Sequence, residues 1–323
     1  MSVGICAYSF NTGYDVFQLM DLALKNGLTG IEFPPDDCLP NLSPDFLTEI
    51  RHRAEKNGLF IIVDGGQVEY KMLARLIPIT SALGASTLRV VISGVLGGDR
   101  RSLSGHWHEH LVECRNILRE VLPIAEENKI TIAVENHSDA TSHDMLWLCE
   151  ELKSKYIGVT LDVGNVLAVC EEPFGYTERL LPHLCHVHLK DYTLHPTSEG
   201  YRIARCPLGS GVVEYPRLLD LINEYPTNFR AITKTIELGA IYARHVRMLM
   251  DDYWVEYPDR DIKELLPFLR LYWANVRPKE EDWRTPKEKG ESVDSLKYYE
   301  NYQFEKSVTY LKNIGVINTA KKA

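Results

Sequence analysis

The sequence predicts a (β/α)₈ barrel, an eight-stranded closed parallel sheet ringed by helices, and three observations carry that reading. Short apolar runs alternate with amphipathic segments over the first three-quarters of the chain. Eight of these runs read as strands: 3–10, 30–33, 60–64, 87–93, 131–137, 158–163, 185–191 and 232–238. One phrase also recurs, since Lys25-Asn26-Gly27-Leu28 and Lys56-Asn57-Gly58-Leu59 both close a helix and lead into a strand. They stand roughly 30 residues apart, the length of one βα unit. Strands alternating with helices imply a parallel sheet, and eight strands close into a cylinder. The rival is an open doubly wound sheet, and the absence of a Gly-rich nucleotide fingerprint after the first strand counts against it.

Each element has a local reason. Between the first two strands Val16, Leu19, Met20, Ala23 and Leu24 recur at helical spacing, and Asn26-Gly27 supplies the stop. Ser43-Pro44 opens the next helix with a cap and a first-turn proline, and Asn57-Gly58 ends it. The last stretch leaves the repeat: a helix over about 240–252, the aromatic run Tyr253-Trp254-Val255-Glu256-Tyr257-Pro258, and an aromatic-rich helix over 265–273. A Pro- and charge-rich loop over 277–290 and a helix over 302–311 follow. The chain thus divides into a barrel, 1–252, and a helical, aromatic-rich C-terminal extension, 253–323, packed on the barrel or on a partner subunit.

Composition narrows the function. Of 323 residues 45% are hydrophobic and 25% charged, ordinary for a globular enzyme. A net charge of −9 argues against a nucleic-acid partner, because phosphate binding needs concentrated Lys and Arg. The seven cysteines form no Cys-x-x-Cys pair and read as free thiols of a reducing compartment, so a cytoplasmic location is expected. No basic leader opens the chain and no apolar run approaches the roughly 18 residues that span a bilayer, so no membrane association is expected.

The chemistry lies in the last four strands. Barrel strands point alternate residues inward, and sites form at their C-terminal ends. On the fifth strand that parity turns Ala133, Glu135 and His137 to the axis; on the sixth, Thr160 and Asp162. On the seventh it turns His186, His188 and Lys190 inward, and on the eighth Thr233, Thr235 and Glu237. Three carboxylates converging in a low-dielectric site repel one another strongly, and a divalent cation removes that cost. Glu135, Asp162, His188 and Glu237 are therefore the expected metal ligands. An oxygen-rich set with one imidazole favours Mn²⁺, with Co²⁺, Mg²⁺ and Zn²⁺ as alternatives.

At these residues the chain resembles the xylose isomerase-like TIM-barrel superfamily of sugar isomerases and epimerases. The resemblance rests on Gly4-Ile5-Cys6-Ala7-Tyr8-Ser9-Phe10, Gly30-Ile31-Glu32-Phe33, Glu135-Asn136-His137, Asp162-Val163-Gly164-Asn165, His188-Leu189-Lys190-Asp191, Pro207-Leu208-Gly209-Ser210-Gly211 and Ile236-Glu237. It spans about residues 3 to 240 and implies the same four ligands. Many relatives carry a histidine where Asn165 stands, which puts a second metal there in doubt.

The resemblance further implies abstraction of a proton next to a carbonyl, helped by the metal. The candidate bases are His137, whose ordinary pKa near 6.5 suits reversible proton transfer, and the ligands Glu135 and Glu237. Lys190 is a candidate to neutralise an oxyanion or a phosphate, or else pairs with Asp191 or Glu135. Arg202 and Arg205, expected on the loop after the seventh strand, are candidate substrate clamps; Glu32 and His106 are candidate substrate contacts. His106, His108 and His110 otherwise read as a polar helix start at the barrel mouth, and Arg100-Arg101 as a solvated loop.

Glu-x-His on the fifth strand resembles the lyase members, including dehydratases and the catalytic subunit of C-glycoside deglycosidases, which act on 3-oxo-glycosides. That favours β-elimination on a sugar or glycoside substrate. Isomerisation or epimerisation of a keto-sugar is the alternative. An abasic-site endonuclease and a non-catalytic metal-bearing subunit are remote ones. The aromatic extension would line an aglycone pocket, dock a small second subunit, or simply cover the barrel, and an oligomer is expected.

Overall fold

A computed structural model describes residues 1–11, 13–226 and 231–318, so the last five residues of the predicted extension lie outside the described ones. Eight parallel strands close into a barrel. In chain order they begin with β1 (Val3–Cys6), β2 (Gly30–Phe33), β3 (Phe60–Gln67) and β4 (Thr87–Val91). β5 (Thr131–Glu135), β6 (Ile157–Asp162), β7 (Leu184–Leu189) and, after an inserted hairpin, β10 (Thr233–Ile236) complete it. The hairpin is β8 (Asp191–Thr197) and β9 (Gly200–Cys206), and β11 (Arg244–Val246) joins it as a third antiparallel strand.

The helices form where the sequence signals place them. Asp15 caps α1 (Val16–Asn26) through the backbone N–H groups of Phe17 and Gln18, and Gly27 ends it in the left-handed region at φ 77°. Ser43 caps α3 (Pro44–Lys56), with Pro44 in its first turn; a one-turn helix, α2 (Pro35–Cys38), precedes it. Leu19, Met20, Ala23, Leu47, Ile50 and Ala54 turn from these helices onto the outward apolar face of the strands, where they are buried. α4 (Tyr70–Ala82), α5 (Trp107–Asn128), α6 (Ser142–Leu152), α7 (Pro173–Leu180) and α8 (Tyr215–Glu224) continue the ring.

The expected helix over 240–252 is not there. Arg244, His245 and Val246 pair instead with Ile203, Arg202 and Tyr201 of β9, and a 3₁₀ turn follows at Asp251–Tyr253. An edge strand of the hairpin was free to satisfy that backbone, and it outcompeted the weak helical periodicity. The expected loop carrying Arg202 and Arg205 is likewise β9.

Beyond this the chain packs back onto the barrel. α9 (Ile262–Asn275) lays Phe268 against Tyr201, with ring centroids 5.4 Å apart. α10 (Val293–Asn313) sets Phe304 edge-on to Phe10 at 5.5 Å and buries Gln303, Ser307 and Leu311. Arg100 corrects a second expectation. It is fully buried, its guanidinium lying 3.9 Å from the ring centroids of both Trp107 and Tyr257, and it donates to Asp144 and to the Asp139 and Glu256 carbonyls. Its neighbour Arg101 is exposed and pairs with Asp99.

Candidate active site at the barrel mouth

Strand register explains how the ligating side chains meet. Asp162 pairs with His188 and His188 with Thr235, while Glu135 pairs with Thr160, one inward position below Asp162. Each stagger of two residues is the shear that a tilted eight-stranded barrel must accumulate, so partners out of register by two can stand at one height. On the opposite wall Cys6 pairs with Glu32, and Asp64 with Arg89. The mouth therefore carries a continuous ring of polar side chains where a barrel core is normally aliphatic.

One oxygen each from Glu135 and Asp162 and one nitrogen from His188 lie within 4.8 Å of one another, all buried. His188 Nδ1 stands 3.5 Å from Glu135 Oε1 and 4.0 Å from Asp162 Oδ2. Asp162 Oδ2 faces the Lys190 ammonium 2.9 Å away, and His188 Nδ1 has no hydrogen-bond partner among the described residues. Buried polar atoms are seldom left so. An unpartnered imidazole nitrogen facing two carboxylate oxygens 3.5 and 4.0 Å away suits a shared cation, since metal–ligand bonds run about 2.0–2.2 Å on each side. The other imidazole nitrogen, Nε2, contacts Glu32 Oε1 at 2.8 Å, which fixes the ring and leaves Nδ1 facing the carboxylates. The residues fit a divalent ion.

Electrostatics point the same way. Burial opposes charge on Glu135, but Arg89 and His188 outweigh it and hold the carboxyl well below its usual range. Burial likewise opposes charge on His188, yet Glu32 and Glu135 together lift it well above an ordinary histidine. Burial raises Asp162, against the pull of Lys190. Lys190 Nζ sits 2.9 Å from Asp162 Oδ2 and also pairs with Glu237, bridging the two acids. An excess of buried negative charge thus draws protons and cations from every available neighbour.

Glu237 follows β10 directly, and its backbone N–H donates to the Leu189 carbonyl at 3.1 Å. Its Oε1 accepts from the Gly239 N–H at 2.5 Å. Only glycine allows that contact, because a Cβ there would collide with the same carboxylate and with Tyr8. Glu237, Lys190 and His137 face a cavity of about 660 Å³, lined also by Tyr8, Arg89 and Arg244, and Lys190 and Arg89 connect it to the buried trio.

Other expected site residues are placed differently. Burial pushes His137 down to about 3, so it is a neutral imidazole at neutral pH rather than a group poised near 6.5, and its Nδ1 has no partner among the described residues. Glu32 is sealed below the mouth, holding His186 and His188 at 3.0 and 2.8 Å, and does not line the cavity. His106 is an exposed residue at the start of α5, outside the cavity lining. Arg202 stacks on Trp283, 4.4 Å from the ring centroid. Arg205 is buried under α10, where its Nε donates to Gln303 Oε1 at 2.6 Å. The extension's side chains thus claim both arginines expected to clamp substrate.

Sequence reasoning missed Arg89 and Arg244. Arg89 follows from parity on β4, where Leu88 and Val90 face the helices; the same test that found Glu135 would have found it. Arg244 gave no usable signal, because it lies where a helix was expected.

A family model described as xylose isomerase-like TIM barrel matches residues 20–251. The 3-oxo-isoapionate decarboxylase of Pectobacterium atrosepticum is 24% identical over 225 residues, covering 69% of this chain and 73% of the relative. The probable 3-DHS dehydratase AsbF of Bacillus anthracis superposes with a TM-score of 0.60 at 16% identity, over 74% of this chain and 93% of that one. The IOLI protein, solved with a bound zinc atom, superposes with a TM-score of 0.58 at 14% identity, over 85% and 97%. At these identities the superpositions speak to the fold. Barrel closure, the acid-and-imidazole mouth and the family match over most of the barrel agree, and the chain belongs to the xylose isomerase-like TIM-barrel family.

Proposed function

We propose that the protein is a divalent-metal-dependent lyase that removes a proton next to the carbonyl of an oxo-sugar and expels a β-substituent, as a 3-oxo-glycoside would require. The observation that carries this reading is the buried trio Glu135, Asp162 and His188, with His188 Nδ1 unpartnered among the described residues, held by Arg89 and Lys190, which line the mouth cavity together with Glu237. The trio, with Glu237 across Lys190 from Asp162, would hold the ion, for which Mn²⁺ suits the oxygen-rich set best. A bound divalent ion supplies Lewis-acid stabilisation of negative charge developing on a carbonyl or hydroxyl oxygen.

The protein's own groups do the rest. Arg89 grips Glu135 and holds it as an anion, which removes it as a proton-transfer group. Glu237 is fixed by Gly239 at one oxygen and faces the cavity, and is the proton acceptor. The C–H bond beside the carbonyl breaks, its proton passes to Glu237, and the electron pair moves onto the carbonyl oxygen. The pair then returns to form a carbon–carbon double bond while the β-substituent leaves with its bonding electrons. Lys190, beside Glu237, supplies the proton that the leaving group takes up, and the proton on Glu237 restores Lys190. Neutral His137 offers a hydrogen bond to a substrate hydroxyl. Exposed Tyr8, Leu96 and Tyr242 at the rim give an aglycone an apolar surface.

A specific observation favours a second reading. Glu237 and His137 both face the cavity, and two proton-transfer groups are what an isomerase or epimerase requires. One experiment separates the two: metal-loaded protein is incubated in D₂O with keto-sugars and with 3-oxo-glycosides. Release of the aglycone, abolished by chelation, is the expected result. Deuterium appearing in a rearranged sugar with no release would replace the lyase with an isomerase or epimerase, and turnover that survives complete chelation would overturn both.

A further inference from the structure

We infer that Arg244 is a carboxylate anchor, so that the substrate is an oxo-sugar acid rather than a neutral sugar or a sugar phosphate. The inference rests on the reading of the mouth cavity as the substrate site and deepens it. Three permanent cations line that cavity: Arg89, Lys190 and Arg244. Two are already engaged, Arg89 by Glu135 and Asp64, and Lys190 by Asp162 and Glu237. Arg244 is different. Among the described residues no carboxylate lies within 4.0 Å of it, and its hydrogen bonds, both from Nη1, go to neutral oxygens, Ser138 Oγ and Asn165 Oδ1, the latter at 3.1 Å.

A half-buried guanidinium without a counter-ion carries a desolvation cost that a bound anion would offset. With Nη1 spent on Ser138 and Asn165, the Nε–Nη2 edge has no partner among the described residues, and that edge is the planar fork that takes a carboxylate with two parallel hydrogen bonds. Its placement is built. Ser138 sits in the left-handed region at φ 75°, a conformation a non-glycine residue holds only when its surroundings enforce it, and its hydroxyl fixes Nη1. Arg244 lines the same cavity as His137, Lys190 and Glu237, so a carboxylate held there shares that cavity with them. One unpaired cation matches a monoanion. A phosphate ester, carrying close to two charges, would call for a second.

The test uses the metal-loaded full chain, with gluconate, sorbitol and sorbitol 6-phosphate titrated calorimetrically; gluconate and sorbitol differ only at the terminal carbon. Gluconate is expected to bind at least tenfold more tightly than sorbitol and more tightly than sorbitol 6-phosphate. Arg244→Met should erase the gluconate-to-sorbitol ratio, and Arg244→Lys should recover part of it. Equal binding of gluconate and sorbitol, tighter binding of the phosphate, no gluconate binding, or an equal loss of both ligands in Arg244→Met would each overturn the anchor. The proton-abstraction reading fails separately. Arg244-dependent gluconate binding without any exchange or elimination in D₂O leaves the anchor and removes the chemistry. Turnover of neutral oxo-sugars without that dependence does the reverse.

Discussion

Glu32 touches no part of the cavity, yet it governs the residue on which the proposed metal site turns. It accepts from His188 Nε2 at 2.8 Å and from His186 Nε2 at 3.0 Å, and Thr235 donates to it as well. An imidazole held this way presents its other nitrogen as a lone pair, and a carboxylate behind a ligating histidine is worth 10–100-fold in metal affinity. Glu32→Gln keeps the volume and one acceptor but loses the charge. It is expected to weaken Mn²⁺ binding about 10–100-fold, read by competition with a chromophoric chelator. Affinity unchanged within about twofold would show that Glu32 does not set the orientation of His188. Residue parity alone could place Glu32 inward but could not tell depth. Strand tilt decides whether an inward residue at a strand end meets the substrate or lies beneath the ligands, and tilt is a property of the closed sheet.

At the scale of elements, the loop between β5 and α6 shows how a polar segment is held inside. Asp139 is fully buried, its Oδ2 accepting from Ser93 at 2.7 Å while Oδ1 finds no partner among the described residues. Burial raises it to about 6, against the Ser93 hydroxyl and the nearby Arg100. The unfolded chain titrates this carboxyl near 3.9, so the folded state binds the proton more tightly. Below about pH 4 the group is protonated in both states and costs nothing. As pH rises from about 4 to about 6 the cost of burying the ionised form grows, and above that it is constant, at most about 3 kcal/mol. Asp139→Asn is therefore expected to melt above the wild type at pH 7, with the gap closing as the pH is lowered to 4. A gap that does not change with pH would mean that Asp139 is not the titrating group. Much of the element map was legible: caps, stops and the repeated Asn-Gly phrase locate the barrel strands and the first helices. The β8–β9 hairpin was not found, although Tyr192, Leu194, Tyr201 and Ile203 alternate in it as half-buried strands do. Arg100 reads as a loop residue in the sequence because nothing local announces that Trp107 and a residue 157 positions away, Tyr257, close over it.

The whole molecule sets the last expectation. The chain carries nine more negative than positive charges, and the barrel draws Glu32, Asp64, Glu135, Asp162 and Glu237, all buried, to its mouth and the layer just beneath it. Without a divalent ion this concentration is balanced by Arg89, by Lys190 bridging two acids and by a proton drawn onto His188. A cation that binds the folded mouth and not the unfolded chain must then stabilise the fold by mass action, about 2.7 kcal/mol at a hundredfold excess over its dissociation constant. Unfolding entropy near the midpoint is about 2 cal/mol/K per residue, so a chain of 323 residues loses about 0.7 kcal/mol of stability per degree there. The expected rise in melting temperature is about 4 °C, reversed by a chelator. Asp162→Asn removes one carboxylate of the proposed site and should abolish the response. The same rise in Asp162→Asn would place the ion elsewhere. No rise with Mn²⁺, Co²⁺, Mg²⁺ or Zn²⁺ would mean that Lys190 and His188 already provide all the positive charge the mouth uses.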